Sequence, residues 1–327
     1  MRVLVTGGAG YIGAQTVSLL TERGDDVVIV DDLSAGFPAR VAGVPLAQID
    51  LAEPSAVAAV AATMREHGTE AVIHFAARKQ VGESMERPAW YYQQNVGSLA
   101  NLLLAMESAD VRSLVFSSSA AVYGSSEGAI DEDRPVQPIN PYGATKLVGE
   151  QLIAAAAASW PLSAASLRYF NVGGAGRPEL GDTEALNLIP IVLQRLDSGL
   201  PPVIFGDDYP TDDGTCIRDY IHVLDVADAH LAVLDSLSGP GHRVYNIGTG
   251  TGTSVKQMVT QIGLVAGSTT EPLVLDRRPG DPAVVVAVVD RIQQEVGWTA
   301  RHGLDDIVRS AWESREHFRT AQGAPAR

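Results

Sequence analysis

The chain has 327 residues, 46% hydrophobic and 19% charged, which excludes long disorder and suits two lobes better than one small core. A formal net charge of −15 argues against a nucleic-acid partner and against binding to an anionic membrane surface. The sole cysteine, Cys216, excludes an internal disulfide and fits a reducing cytoplasm; no charged and apolar leader precedes the first strand, and the apolar runs are too short to cross a bilayer. Val3-Leu4-Val5 then reads as a buried parallel strand running into Gly7-Gly8-Ala9-Gly10-Tyr11-Ile12-Gly13 and a helix to about Arg23. The spacing fits both G-x-G-x-x-G and G-x-x-G-x-x-G. Glycines there let backbone approach a pyrophosphate, and the helix N-terminus attracts its charge. A second strand, Val27 to Val30, ends in Asp31, 18 residues past Gly13. A carboxylate at that spacing accepts from ribose hydroxyls and repels a 2′-phosphate, so NAD is expected rather than NADP. Asp31 and Asp32 opening a mere loop is the weaker alternative, given the glycines already placed.

The alternation of strand and helix continues. Asp50-Leu51 is expected to close a third strand against an adenine, followed by a helix from Ser55 to His67. The strand Ala71 to Phe75 leads into the small residues Ala76 and Ala77, and His74 within it reads as a satisfied core histidine. One helix is expected over Pro88 to Ala109. Asn95 inside it is either a ligand to local backbone or a buried polar tie. Strand Leu114 to Phe116 runs into Ser117-Ser118-Ser119, where a hydroxyl at a strand's carboxyl end faces the ligand crevice. Ser119 is a candidate to bond a substrate hydroxyl and pass its proton, although three serines also make a plain turn. Twenty-three residues on comes Tyr142, then Lys146. Pro141 is pre-set for a first helical turn, and residues four apart share a helical face. A lysine ammonium there is expected to lower the phenol pKa and make Tyr142 a base near neutral pH. Taken alone the pair would read as a surface contact; a cofactor site gives it work.

After a strand from Ala164 to Tyr169, the glycine-rich stretch Gly173 to Gly181 reads as a crossing to a second lobe. Expected there are a helix near Leu188 to Ser198, a strand Val203 to Phe205, a turn from Tyr209 to Thr215 and a helix from Val223 to Leu237. Strand Val244 to Ile247 is expected to rejoin the main sheet, and a helix follows from Ser254. Arg277 and Arg278 beside a Pro-Gly turn suit pyrophosphate oxygens. Residues after Thr320 read as frayed. The expected fold is therefore α/β: a Rossmann-type doubly wound parallel sheet over residues 1–172, rejoined by part of 219–250, with a smaller C-terminal α/β substrate lobe over 173–327.

Thr6 through Gly13, Ser117 through Gly124, Pro141-Tyr142-Gly143 through Lys146, His74 through Lys79, Val81 through Ser84, Arg168 through Asn171, and above all Tyr209 through Val223 together carry a family pattern. The chain resembles the extended short-chain dehydrogenases/reductases, and within them the UDP-glucose (UDP-galactose) 4-epimerases, over nearly its whole length to about Trp298. The resemblance implies NAD held by Gly7, Gly10, Tyr11, Ile12, Gly13, Asp31, Asp32, Leu33, Asp50, Leu51, Phe75, Ala76, Ala77, Lys79, Gln94, Ser117 and Phe170. It implies Ser119 and Tyr142 acting on the sugar, and Lys146 on the nicotinamide ribose and the Tyr142 pKa. It implies a UDP-sugar held by Lys79, Asn171, Asn187, Leu188, Val203, Phe205, Arg218, Arg278, Asp281 and Val285, no metal, and a homodimer through a four-helix contact of Pro88 to Ala109 and Tyr142 to Ser159. The reaction implied is transient oxidation at C4 to a 4-keto sugar and hydride return to the opposite face. Departures are Gln94 for the usual asparagine, Val172 where a proline often follows Asn171, and Val288 where an acid is expected. Val285 replaces a bulky aromatic of some members, which would leave room for N-acetylated sugars. A 4,6-dehydratase would need an acid pair where Ala120-Ala121 stand. A UDP-hexuronate epimerase or decarboxylase would need a cation for the carboxylate, and a non-catalytic NAD-binding regulator would not need the Ser119, Tyr142 and Lys146 set.

Overall fold

The computed structural model describes residues 1–278 and 280–321. The strands in chain order are β1 (Arg2–Thr6), β2 (Asp26–Asp31), β3 (Leu46–Gln48), β4 (Ala71–His74), β5 (Ser113–Ser117), β6 (Gly128–Ile130), β7 (Ser163–Tyr169), β8 (Asn171–Gly173), β9 (Val203–Phe205), β10 (Ile217–His222), β11 (Gly241–Ile247), β12 (Gly252–Ser254), β13 (Leu273–Leu275) and β14 (Val284–Ala287). The main sheet has the order β11-β7-β5-β4-β1-β2-β3, and every pairing in it is parallel. The central strands are runs of Val, Ile and Leu because both faces are covered. Helices Tyr11–Arg23 and Val223–Ser236 bury Val17, Leu20, Val226 and Val233 against one face. Helices Ala56–Glu66, Ser98–Ala109 and Pro141–Ser159 bury Val60, Leu102 and Ile153 against the other. This is the doubly wound α/β fold expected from the sequence.

The winding reverses between β1 and β4, so a crevice opens at their carboxyl ends. The glycine loop follows β1 and Phe75 to Lys79 follow β4, which brings both to that crevice. Two local expectations need correction. β3 stops at Gln48, so Asp50 and Leu51 lie in the turn beyond it, where Asp50 Oδ1 accepts from the Ala52 amide at 2.9 Å. The helix expected over Pro88 to Ala109 is interrupted: Pro88–Tyr92 and Ser98–Ala109 are α-helical, but Gln93–Gly97 forms a π turn. A π turn is an inserted residue, invisible to a periodicity test, and such insertions concentrate at functional sites.

The rest of the chain builds a second sheet, β12-β10-β14-β6, with β8 also paired to β10. Its strands are three to six residues long and their alternation is weak, so most of them leave no sequence signal. β9 and β13 form a separate parallel pair. Helices Leu188–Asp197, Val255–Val265 and Leu304–Ala321 pack Val192, Met258 and Ile307 around Tyr220. Helix Leu304–Ala321 includes Thr320 and Ala321; the fraying expected beyond falls on residues 322–327, outside the described residues, as does Pro279 of the Arg277 to Pro282 turn.

Candidate active site

A cleft of about 370 Å³ lies at the β1/β4 crevice. Gly7, Gly10, Tyr11, Ile12 and Gly13 form its floor. Gly7 has φ +67°, and a Cβ there would meet the Ala76 amide nitrogen at 2.7 Å. A Cβ on Gly13 would run into the Gly7 carbonyl, so this turn admits glycine only. Asp31 and Asp32 enter from β2, Asp50 and Leu51 from beyond β3, and Phe75, Ala76, Ala77 and Lys79 from beyond β4. The buried Asp31 carboxylate accepts from the Ala9 amide at 3.0 Å and the Leu33 amide at 2.9 Å. A Cβ on Gly36 would press on both Asp31 oxygens, at 3.0 and 3.1 Å. A glycine cradle at a helix N-terminus with an acceptor-only carboxylate beside it fits the pyrophosphate and ribose of a dinucleotide. Leu33 and Phe170 do not line the cleft: Leu33 holds φ +61° and turns into the core, and Phe170 is buried with Val122, Tyr123 and Ile130.

The far end of the cleft is lined by Ser117, Gln94, Tyr142 and Lys146. Helix Pro141–Ser159 starts where the sequence indicates, with Asn140 Oδ1 accepting from the Gly143 amide at 2.8 Å. Tyr142 and Lys146 are both buried on its inner face. The Ser119 side chain acts on the Tyr142 phenol to favour its ionised form, and its Oγ accepts from the Ala121 amide at 3.1 Å. Lys146 Nζ donates to the Ser117 carbonyl at 2.7 Å and lies 6.0 Å from the Tyr142 ring centroid. The expected electrostatics are not those found. Burial pushes the Tyr142 phenol up, offset in part by Ser119, and burial lowers Lys146 to about 7. Desolvation opposes both charged forms. His74 is a core residue as expected: its Nδ1 pairs with Thr6 Oγ1 at 2.6 Å, and burial lowers it to about 3. Asn95 proves to be a buried tie, bonded to both backbone groups of Arg78 and to Thr145.

The lobe residues form adjoining groups. Arg218 on β10 pairs with Asp281 at 3.1 Å and stands in register with Val285 on β14. The Arg278 guanidinium lies 4.0 Å from the Phe205 ring centroid, with Val203 on the same strand β9. Arg218, Asp281 and Arg278 all act electrostatically on the buried Cys216 thiol, which burial pushes up. Asn187 precedes Leu188 at the N-terminus of helix Leu188–Asp197, and its side chain donates to Asp182 Oδ2 at 3.2 Å. Asn171 is on β8, opposite Tyr220. Lys79 reaches Glu184 at 3.0 Å across the cleft.

The sequence model of the NAD dependent epimerase/dehydratase family matches residues 3–248. A UDP-glucose 4-epimerase of Azospirillum brasilense is 47% identical over 99% of this chain and 95% of its own length. The chain belongs to the NAD dependent epimerase/dehydratase family and, within it, to the UDP-glucose 4-epimerases. A UDP-glucose 4-epimerase of Corynebacterium glutamicum is 45% identical, with 95% of each chain covered. Among solved structures, a UDP-glucose-4-epimerase of Stenotrophomonas maltophila with bound NAD and formylated UDP-arabinopyranose superposes with a TM-score of 0.93 at 40% identity, covering 98% of this chain and 99% of that one. Against this family background two residues that the sequence left unassigned stand out. Tyr169 lines the cleft at the end of β7, its hydroxyl 2.6 Å from Ser117 Oγ; the strand-end rule that singled out the serines after β5 applies equally to β7. Arg78 lines it too, and only the tertiary structure gives it partners.

Proposed function

We propose that the chain catalyses NAD-dependent 4-epimerisation of a UDP-hexose, interconverting UDP-glucose and UDP-galactose. The observation that carries this reading is that Tyr142 and Lys146 line the same cleft as the Gly7 to Gly13 cradle and Asp31. Gly7, Gly10, Tyr11, Ile12, Gly13, Asp31 and Lys79 would hold the dinucleotide, with Lys146 and Tyr142 at its nicotinamide end. When bound, NAD supplies the hydride acceptor and donor and, oxidised, a positive charge. Burial favours the protonated Tyr142 phenol, and the positive charge of the oxidised cofactor would favour its phenolate. Tyr142 then takes the proton of the sugar's C4 hydroxyl, with Ser119 passing it between the two oxygens, and returns it after the 4-keto sugar has presented its other face. Ser117 ties the ensemble together, its carbonyl accepting from Lys146 and its hydroxyl bonded to Tyr169. Arg218, Arg278, Phe205 and the N-terminus of helix Leu188–Asp197 would hold the nucleotide while the sugar turns over.

Residues 1–172, with part of 219–250, would form the cofactor half, and 173–327 the nucleotide-sugar lobe. Val285 gives the site room for an N-acetylated sugar. Leu104 and Tyr92 are exposed on the segment Pro88 to Ala109, which supports a homodimer through that segment and helix Pro141–Ser159. Among the described residues no helix is long and apolar enough to cross a membrane, and a cytoplasmic setting suits the lone thiol. The test is product analysis with UDP-galactose and UDP-N-acetylgalactosamine side by side. Formation of UDP-glucose without net NADH release supports the reading, no turnover of UDP-galactose contradicts it, and no turnover of the N-acetylated sugar removes the role of Val285.

A further inference from the structure

Arg78 sits in the segment that follows β4, and its backbone is fixed before its side chain reaches anything. Asn95 Oδ1 accepts from the Arg78 amide at 2.8 Å, and Asn95 Nδ2 donates to the Arg78 carbonyl at 3.0 Å. The same Nδ2 donates to Thr145 Oγ1 at 2.9 Å, on the helix that carries Tyr142 and Lys146. Asn95 belongs to the π turn Gln93–Gly97, so the inserted residue gains a purpose: it anchors this segment to that helix.

From that base the guanidinium reaches to the other side of the cleft. Nη2 donates to Asp32 Oδ2 at 2.7 Å and Nη1 donates to Ser34 Oγ, both in the loop after β2. Nε and Nη2 also donate to Gln94 Oε1, at 3.1 and 3.0 Å. The guanidinium carbon lies 5.3 Å from the Trp90 ring centroid. β1 and its glycine loop lie between β4 and β2 in the sheet, so this contact spans two strand intervals, roughly 10 Å. Arg78, Asp32, Ser34, Gln94 and Trp90 all line the one cleft.

We propose that Arg78 is a clasp across the cofactor cleft, tying the loop after β2 to the loop after β4 and setting how slowly bound NAD leaves. The inference rests on the reading above that this cleft holds NAD. An exposed ion pair would contribute little, but this one is only partly exposed, with 22% of the Arg78 and 27% of the Asp32 side chain accessible. Its fork bonds three different side chains from a backbone that Asn95 has already ordered, so little further entropy is lost on closing. A lysine would offer one point charge and could not bridge Asp32, Ser34 and Gln94 at once. A hydride that leaves and returns within one turnover calls for a cofactor that stays.

The experiment is displacement of a fluorescent etheno-NAD from the holoenzyme by excess NAD, followed in wild type, Arg78→Leu, Arg78→Lys and the far-anchor variant Asp32→Asn/Ser34→Ala. Release from Arg78→Leu is expected to be about tenfold faster or more, the loss typical of a charge-assisted fork. Arg78→Lys should fall between it and wild type, and the far-anchor variant should match Arg78→Leu. Combining the far-anchor changes with Arg78→Leu should add no further acceleration, because both break one bridge. Wild-type release rates in Arg78→Leu would overturn the clasp and leave the reading of the cleft intact. If Arg78→Leu does not fold, wild-type release in the far-anchor variant overturns it equally. A wild-type protein that takes up no NAD at all would overturn both.

Discussion

Tyr142 and Lys146 are two buried titratable groups on one helical face, and burial drives their pKa values apart, the phenol up and the amine down. Lys146 ordinarily titrates near 10.5 and is lowered to about 7 here. Between those values the unfolded chain binds a proton that the folded chain refuses. The fold therefore loses stability as pH falls from about 10 to 7 and loses no more below. In the cofactor-free protein, the melting temperature of Lys146→Met relative to wild type should rise as pH is lowered through that window; a gap independent of pH would contradict the buried, neutral amine. Tyr142→Phe should keep NAD and lose about 10²-fold or more in epimerisation, as removal of a general base does. Wild-type turnover in that variant would displace the base from Tyr142. Asp31→Ala should weaken NAD binding and lessen discrimination against NADP, read by comparing the two dissociation constants; an unchanged ratio would take the ribose away from Asp31. The spacing of Tyr142 and Lys146 is legible because a helix places residues four apart on one face. Their electrostatics are not, because the expected ammonium–phenolate pairing ignored what it costs to bury either ion.

At the scale of elements, helix Pro141–Ser159 is locked to β7 by a buried ion pair that no local pattern announces. Arg168 Nε and Nη2 donate to Glu150 Oε1 and Oε2 at 2.9 and 2.6 Å, and Ser118 donates to the same carboxylate at 2.5 Å. Arg168 Nη1 continues to the Tyr123 hydroxyl at 2.9 Å, and that hydroxyl to Asn246 Oδ1 at 2.7 Å. Glu150→Ala leaves the Arg168 charge buried without its carboxylate and should cost about 3–5 kcal/mol of stability. Replacing both partners, Glu150→Met with Arg168→Met, should restore most of that loss, because no charge remains to desolvate. Chemical denaturation of the three proteins checks this; equal losses in single and double variants would mean that the pair itself was the stabilising element. The glycine turn, the strand runs and the starts of helices Tyr11–Arg23 and Pro141–Ser159 were legible because they depend on neighbours in sequence. The π turn, the short strands β6, β8, β10, β12 and β14, and this network were not, because each depends on partners on other elements of the chain or on one inserted residue.

The whole molecule divides its labour between a parallel sheet, whose reversal of winding makes a cleft, and a second lobe whose arginines Arg218 and Arg278 lie among Asp281, Phe205 and the buried Cys216. Asp182 and Glu184 on the crossing between them bond Asn187 and Lys79, and both acids line the cleft. At this scale Leu104→Glu should convert the proposed dimer to monomer in sedimentation velocity; a monomeric wild type would remove the dimer, and an unshifted dimer would move the interface off Pro88 to Ala109. The central claim is that one hydrogen leaves C4 of the sugar and comes back to the same carbon without meeting solvent. It is tested most directly by turning over UDP-galactose deuterated at C4 in ordinary water and reading the mass and position of the label in the UDP-glucose formed. Full retention of deuterium at C4 is the result expected; replacement of that label by solvent hydrogen would contradict it.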